Sequence, residues 1–310
     1  MDLTNKKVVF VLTYLEAKEW NKFYPAWMFG QVYPDYQFIV LDNGNQPLME
    51  EWCKLTGSYY YGAEHNLGSS AGYNWIFRVA ELLQLDRAVL LQADVEIISK
   101  NCLDVLFDEK WKENDIPFWP MEPREMWDTQ TDNLGGCYNL GQFFSFNPNY
   151  LLSNKLLVDE NYVVTHFDDA DLMRRMLEVG TKPHNLLLDY EHIDVVAGPD
   201  KISSFVAGLY NMYHFSSLQS GSENHKEWLE LNQPYHDKKW FNESKDHAYA
   251  FPFGQCDPED GKDISHKELE KLDINKCDPH SHKWLPLGYP PYPTEYEVNR
   301  FWKELTEKEE

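Results

Sequence analysis

"NLGSSAGYNWIFRVAELLQLDRAVLLQADVEI", Asn66 to Ile97, carries the two periodicities that decide the fold. Ala71, Trp75, Ile76, Val79, Ala80 and Leu83 recur at three- and four-residue spacing, so they share one face of a helix. Ser69 or Ser70 is the candidate N-cap, since a serine oxygen accepts from the orphan amides of a first turn. From Arg87 the period changes to two. Leu91, Ala93, Val95 and Ile97 point one way, and Gln92, Asp94 and Glu96 point the other. An apolar strand that aims an amide and two carboxylates from its far end predicts a polar crevice there.

The same alternation extends towards the amino end. "KKVVFVLTY", Lys6 to Tyr14, reads as a buried strand, and Trp20, Phe23, Trp27 and Met28 then recur at helical spacing. "YQFIVLDNG", Tyr36 to Gly44, is a second strand closed by the turn signal Asn43-Gly44. "GSYYYG", Gly57 to Gly62, is a short third. This β-α-β-α-β rhythm predicts an α/β fold with a doubly wound, mainly parallel sheet and helices on both faces. Ligands of such sheets sit beyond the carboxyl ends of the strands. Thr13, Asp42 and Asp94 all fall at such ends.

The rhythm breaks near residue 100. Residues 113–148 are rich in Pro, Trp, Asn and Gly and read as long loops with one apolar stretch, "GQFFSF". "DDADLMRRMLEVG" restores a helix. Asp168 or Asp169 is its cap, Leu172, Met173, Met176 and Leu177 its buried stripe, and Gly180 its stop. A strand-like "HNLLLDYEHID" follows. From residue 216 periodicity is weak, which predicts an extension that wraps the core or makes contacts and ends in the charged "KELTEKEE". The organisation expected is one domain in two halves, 1–100 and 101–215, with an extension over 216–310.

Composition narrows the partners. Lys and Arg total 28 against 51 Asp and Glu, a formal charge of -23. Such a chain repels nucleic acid and anionic membrane on average, and no Lys/Arg cluster relieves that. An anionic ligand on this background needs a metal ion or backbone amides. No signal peptide or run of about 20 apolar residues is visible, and five cysteines are sparse and odd in number. Those features predict a cytoplasmic protein without a disulfide scaffold.

Two segments combine into chemistry. Carboxylates such as Asp94 are ligands that Mg2+ or Mn2+ prefers, and such an ion bridges protein to phosphate. "HNLGSSAGYN", His65 to Asn74, opens a helix with Gly68 and Gly72 permitting close approach, so its first amides suit an anion. An ordinary loop and cap reads the same way.

The Asn66–Ile97 segment resembles the core of family 2 inverting glycosyltransferases of the GT-A fold. There N-L-G-x-x-x-G-x-N precedes a helix, and the next strand ends in a D-x-D-type motif that binds the metal and the sugar-nucleotide diphosphate. Rhamnosyltransferase-like members carry N-P-D-x-E, and "QADVE", Gln92 to Glu96, is similar. "VVFVLTYLEAKE" resembles the family's opening strand, with Leu15 where Asn is usual. "IVLDNGNQ" resembles its D-N-x-S strand tip, and "FDDADLMRRMLEVG" its E-D-x-D-L-x-x-R-x-x-x-G helix. The resemblance spans roughly residues 6–195.

It implies a metal-dependent glycosyltransferase that uses a nucleotide-activated sugar, UDP- or dTDP-linked, with Mn2+ or Mg2+. It implies that Asp42 holds the nucleotide base and that Thr13, Tyr14, Asn66, Gly68, Ser70 and Asn74 surround the donor. Asp94 ligates the metal, with His192 completing the site and His214 as the competing ligand. Gln92 stands where many members have the first Asp of the motif. Asp169 matches the catalytic base. Physical chemistry supports that last role, because a carboxylate at a helix N-terminus is oriented and kept ionised by the dipole. Plain capping by Asp168 and Asp169 is the alternative.

The remaining features are less specific. Trp119, Glu122 and Trp127, with Asp168, are the candidate acceptor residues, since sugar C–H faces pack on aromatic rings; core packing is the other reading of the tryptophans. Cys256, Cys277, His280 and His282 have zinc-ligating chemistry, but their spacing fits no standard finger. The acceptor is a glycan, a protein or a modified nucleic acid. Two further functions fit the same residues: a glycosyltransferase that modifies hydroxymethylated bases of viral DNA, and a non-catalytic sugar- or nucleotide-binding module.

Overall fold

The computed structural model describes residues 3, 6–13, 35–64, 67–92, 101–119, 143–160, 162, 168–186 and 293–307. Its centre is built by the most apolar runs in the chain. Lys7–Thr13 (β1), Tyr36–Asp42 (β2), Tyr59–Gly62 (β3) and Ala88–Gln92 (β4) pair in parallel in the order β3-β2-β1-β4. Asp115–Phe118 (β5), Phe143–Phe146 (β6) and Lys182–Asn185 (β7) extend it to β3-β2-β1-β4-β6-β5-β7. Among the described strands only β6 runs antiparallel to its neighbours. Side chains of β1 alternate between two buried faces, which is why these strands read as unbroken hydrophobic runs. Val8, Phe10 and Leu12 enter one core; Val9 and Val11 enter the other.

Each face carries helices. Pro47–Thr56 (α1) and Asn101–Leu106 (α3) cover the second, through Met49, Cys53, Leu103 and Leu106. Gly68–Leu82 (α2), Pro148–Ser153 (α4), Asp168–Glu178 (α5) and Pro293–Glu307 (α6) cover the first. The doubly wound, mainly parallel α/β sheet expected from the sequence is the architecture the chain adopts. The helix expected from Trp20 to Met28 lies outside the described residues. β7 begins at Lys182, two residues before the strand-like stretch anticipated at His184.

Helix α2 departs from expectation in two ways. Neither serine caps it. Leu67 occupies the N-cap position without a side-chain cap, and Gly68, at φ +70°, turns the chain into the helix, leaving Ser69 and Ser70 inside the first turn. The single apolar face also understates its burial, because Gly72, Tyr73, Asn74 and Phe77 are buried too. The helix lies between the sheet and the outer helices α4, α5 and α6, so most of its circumference is covered. Gly72 makes that close approach possible: a Cβ there would stand 2.8 Å from Leu12 Cδ1 and 3.1 Å from Cδ2. Gly72→Val is therefore expected to cost about 1–3 kcal/mol of stability, read from urea unfolding, because overpacking forces the buried Leu12 off its rotamer. A loss below about 0.5 kcal/mol, the range typical of surface substitutions, would show that the α2–β1 contact yields.

The last helix belongs to the core. Phe301 is fully buried and meets Trp75, Tyr61 and Tyr59 edge-on at 5.2, 5.4 and 5.7 Å between ring centroids. Trp75 stacks on Tyr61 at 5.1 Å. Polar contacts fix the docking. Thr294 Oγ1 donates to Glu160 Oε1 at 2.6 Å. The buried Glu297 accepts from Tyr61 OH at 2.5 Å and from the backbone N–H of Glu64 at 2.8 Å, and it pairs with Arg300 at 2.8 Å. Arg300 Nη2 in turn donates to the carbonyl of Gly62. Among the described strands β3 is an edge, and these two side chains engage backbone groups at and just beyond it.

Candidate functional site

In the order β3-β2-β1-β4 the winding reverses beside β1, since β2 lies on one side of it and β4 on the other. Strand order of this kind leaves a crevice at the carboxyl ends of the two central strands. Register places Thr13 opposite Asp42, and Leu12 opposite Gln92, at that end. The amino end of α2 completes the arrangement. Asn43 donates its backbone N–H to the carbonyl of Thr13 at 2.8 Å and its Nδ2 to the carbonyl of Gly68 at 3.1 Å, which ties the β2 tip to α2. Among the described residues Asn43 Oδ1 is buried there with no hydrogen-bond partner. A buried acceptor with unspent lone pairs is uncommon, and a ligand or water is one group that can donate to it.

Asp42 is fully buried and accepts four hydrogen bonds, three from its own loop and one from β3. Oδ1 accepts from the Gly44 N–H at 2.9 Å and Gln46 Nε2 at 3.1 Å; Oδ2 accepts from the Gln46 N–H at 2.5 Å and Tyr60 OH at 3.1 Å. The three from Gly44 and Gln46 shape the turn at residues 43–46. Burial and the neighbouring Asp42 charge push the Tyr60 hydroxyl well above its usual range, so it stays a donor. Gln92 Nε2 donates to Tyr73 OH on α2.

The first turn of α2 faces a carboxylate from the far half of the chain. Ser69 Oγ and Ser70 Oγ both donate to Asp168 Oδ2, the latter at 3.2 Å. Burial raises the Asp168 pKa, while the serine hydroxyls and backbone hydrogen bonds at residues 168 and 169 oppose the rise. Asp169 follows it and is half-buried. Further along α5, Asp171 Oδ2 accepts from Arg175 Nε at 2.9 Å, and Arg175 Nη2 donates to the Leu157 carbonyl at 2.7 Å.

The structure thus brings Thr13, Asp42, Gly68, Ser70, Gln92, Asp168 and Asp169 to one end of the sheet. It does not bring Asn74 or Trp119 there. Asn74, fully buried, grips the backbone of Val158 through N–H to Oδ1 at 2.7 Å and Nδ2 to O at 2.9 Å, and donates to Glu160 Oε1 at 2.6 Å. Trp119 is 1% exposed and sits in the core beneath α1 and α3, the packing alternative for that ring. Tyr14, Asn66, Asp94, Glu122, Trp127, His192 and His214 lie outside the described residues, as do Cys256, Cys277, His280 and His282. Among the described residues no three His, Cys, Asp or Glu side chains gather to hold a metal ion. Cys53 is buried, and burial pushes its thiol up to about 12, leaving it without nucleophilic character at neutral pH. Asn43 and Glu160 escaped the sequence reading. The sequence marks Asn43 as a turn residue and as the Asn of the D-N-x-S-like strand tip, with no role of its own, and Glu160 sits in "LLVDEN" with no local signal of its distant partners.

No family model matches the sequence, and no curated protein matches it. Solved structures are similar in fold. A mannosyltransferase from Pyrobaculum calidifontis, in complex with GDP-Man and Mn2+, is 11% identical over 77% of this chain and 81% of that one, with a TM-score of 0.43. S. aureus TarS 1-349 is 14% identical over 81% and 84%, at 0.41. Glucosyl-3-phosphoglycerate synthase from Mycobacterium tuberculosis, in complex with Mn2+ and UDP-Glc, is 14% identical over 66% and 77%, at 0.40. At such identities and scores these likenesses add nothing to what the strand order itself shows.

Proposed function

We propose that this protein is a glycosyltransferase that moves a sugar from a nucleotide-sugar donor to an acceptor hydroxyl with inversion. One observation carries the proposal: the tips of β1 and β2 and the amino end of α2 meet at the switch point of a doubly wound sheet, beside the α5 carboxylates. The four ordered motifs in the sequence agree with it. The Asp42 loop shapes the pocket wall, and Asn43 Oδ1 accepts from a donor group of the nucleoside. The α2 amino end favours the diphosphate. Asp169 takes the proton of the acceptor hydroxyl as its oxygen attacks the anomeric carbon and the bond from that carbon to the phosphate oxygen breaks. The nucleoside diphosphate leaves with the bonding electrons. Mn2+ or Mg2+, held by Asp94 and His192, would supply Lewis-acid neutralisation of the leaving group.

The test is release of nucleoside diphosphate across a panel of UDP-, dTDP- and GDP-sugars with Mn2+ or Mg2+. Asp169→Asn is expected to lower turnover by about 100-fold or more, the usual range for losing a general base, with an unchanged thermal melt. Undiminished transfer by that variant would remove Asp169 from the role. A second reading, donor binding without transfer, draws on Gln92, whose amide is already engaged by Tyr73. Calorimetry that detects binding of a donor the protein never cleaves would favour it.

A further inference from the structure

The first turns of α2 and α5 are joined by one carboxylate. Ser69 and Ser70 precede Asp168 by 99 and 98 residues, so this contact bridges the strand-helix half of the chain and the later half. We propose that Ser69, Ser70 and Asp168 form a positioning link that fixes where Asp169 stands relative to the amino end of α2. The inference rests on the reading of Asp169 as the base.

Three observations support it. The Asp168 side chain is 3% exposed, so its orientation is set by protein partners and not by solvent. Both hydroxyls converge on the same oxygen, and no acidic residue of α2 occupies its own first turn. Asp168 Oδ2 is therefore the acceptor that both first-turn hydroxyls of α2 share, while standing at the terminus of α5. Further along α5, Asp171 and Arg175 anchor the helix to Tyr162 and Leu157. The first turn of α5 is thus held on one side by Asp171, paired with Arg175, and on the other by the serines that bond Asp168. Asp169 follows Asp168 directly, and a displacement of about 1 Å at a reacting group is enough to lose about 100-fold in rate. Ser69 and Ser70 act through Asp168 and do not touch the reacting atoms.

The experiment compares Ser69→Ala/Ser70→Ala with Ser69→Thr/Ser70→Ala, which keeps one hydroxyl at the half-buried position. Donor KM and kcat are measured with the wild type's best donor, and amide hydrogen exchange is followed without ligand. The double alanine variant is expected to lower kcat about tenfold or more with donor KM within about twofold, and the threonine variant to recover most of the loss. Exchange at residues 168–171 is expected to quicken at least about tenfold while β1 keeps its protection. A rise in donor KM at constant kcat would overturn the link and make the serines donor ligands. Unchanged kcat, or exchange that quickens equally everywhere, would overturn it as well. If the wild type transfers no sugar, the reading of Asp169 as the base fails, and local against uniform exchange alone decides the link.

Discussion

A chain ending at residue 292 is expected to lose this fold at about 25 °C. Helix α6 buries Val298, Phe301 and Leu305 against α2 and β3. Large apolar side chains contribute about 1.5–3 kcal/mol each when fully buried, so the three together contribute about 5–9 kcal/mol. Domains of this kind have only about 5–15 kcal/mol in total. Deletion also strips Tyr61 OH of its carboxylate partner and opens the stacked faces of Trp75 and Tyr61 to water. Circular dichroism and size-exclusion chromatography check the outcome: loss of the cooperative melt, with aggregation. A soluble monomer melting within about 1.5 °C of the full chain, a shift worth roughly 1 kcal/mol or less, would show α6 to be an accessory.

Glu160→Gln is expected to act in the opposite direction, by an amount that grows as pH rises from about 4.5 to about 7. Glu160 is fully buried, and desolvation raises its carboxyl from 4.5 to about 7 despite hydrogen bonds from Asn74 and Thr294. Asp159 adds to the rise and Arg78 opposes it. Between those two pH values the folded state binds a proton that the unfolded chain releases. Stability attributable to this group is therefore complete below about pH 4.5 and is lost as pH rises through about 7. The loss is on the order of 3 kcal/mol, from the 2.5-unit difference between 4.5 and 7 at 1.36 kcal/mol per unit. A glutamine keeps an oxygen for Asn74 and Thr294 and carries no charge. The variant should match the wild type near pH 4 and exceed it by about 1–3 kcal/mol at pH 8 in urea titrations. A variant weaker than the wild type at pH 8 would show that the charged carboxylate is stabilised by Arg78 more than burial opposes it.

Local pattern made much of this legible. The change of period between Asn66 and Ile97 located α2 and β4, and Gly180, at φ +84°, ends α5 where its residue type indicates. What stayed hidden depends on partners far along the chain. Asn74 is a polar residue on a helix that faces the crevice with its first turn, so a donor role looked natural. It turns instead to Val158, 84 residues away, because α2 is covered nearly all round. Ser69 and Ser70 have the chemistry of a cap, and the Gly68 geometry leaves their hydroxyls for Asp168. Asp42 has the chemistry of a ligand contact, and its position before Gly44 and Gln46 directs both oxygens to its own turn. Residue type and spacing identify which groups meet at an end of the sheet. Which lone pairs are already taken follows only from the fold.

The Arg300 contact to Gly62 spans 238 residues. The ribosome adds about 5–20 residues each second, so roughly 12–48 seconds separate the appearance of the two partners. Throughout that interval the Gly62 carbonyl at the end of "YYYG" is without the guanidinium that engages it. An aromatic strand with open amides and carbonyls is a template for pairing with another chain. The hazard therefore belongs to the nascent protein, and it grows with the number of ribosomes on one message. Slower elongation lengthens the exposure, and arrival of the final helix ends it.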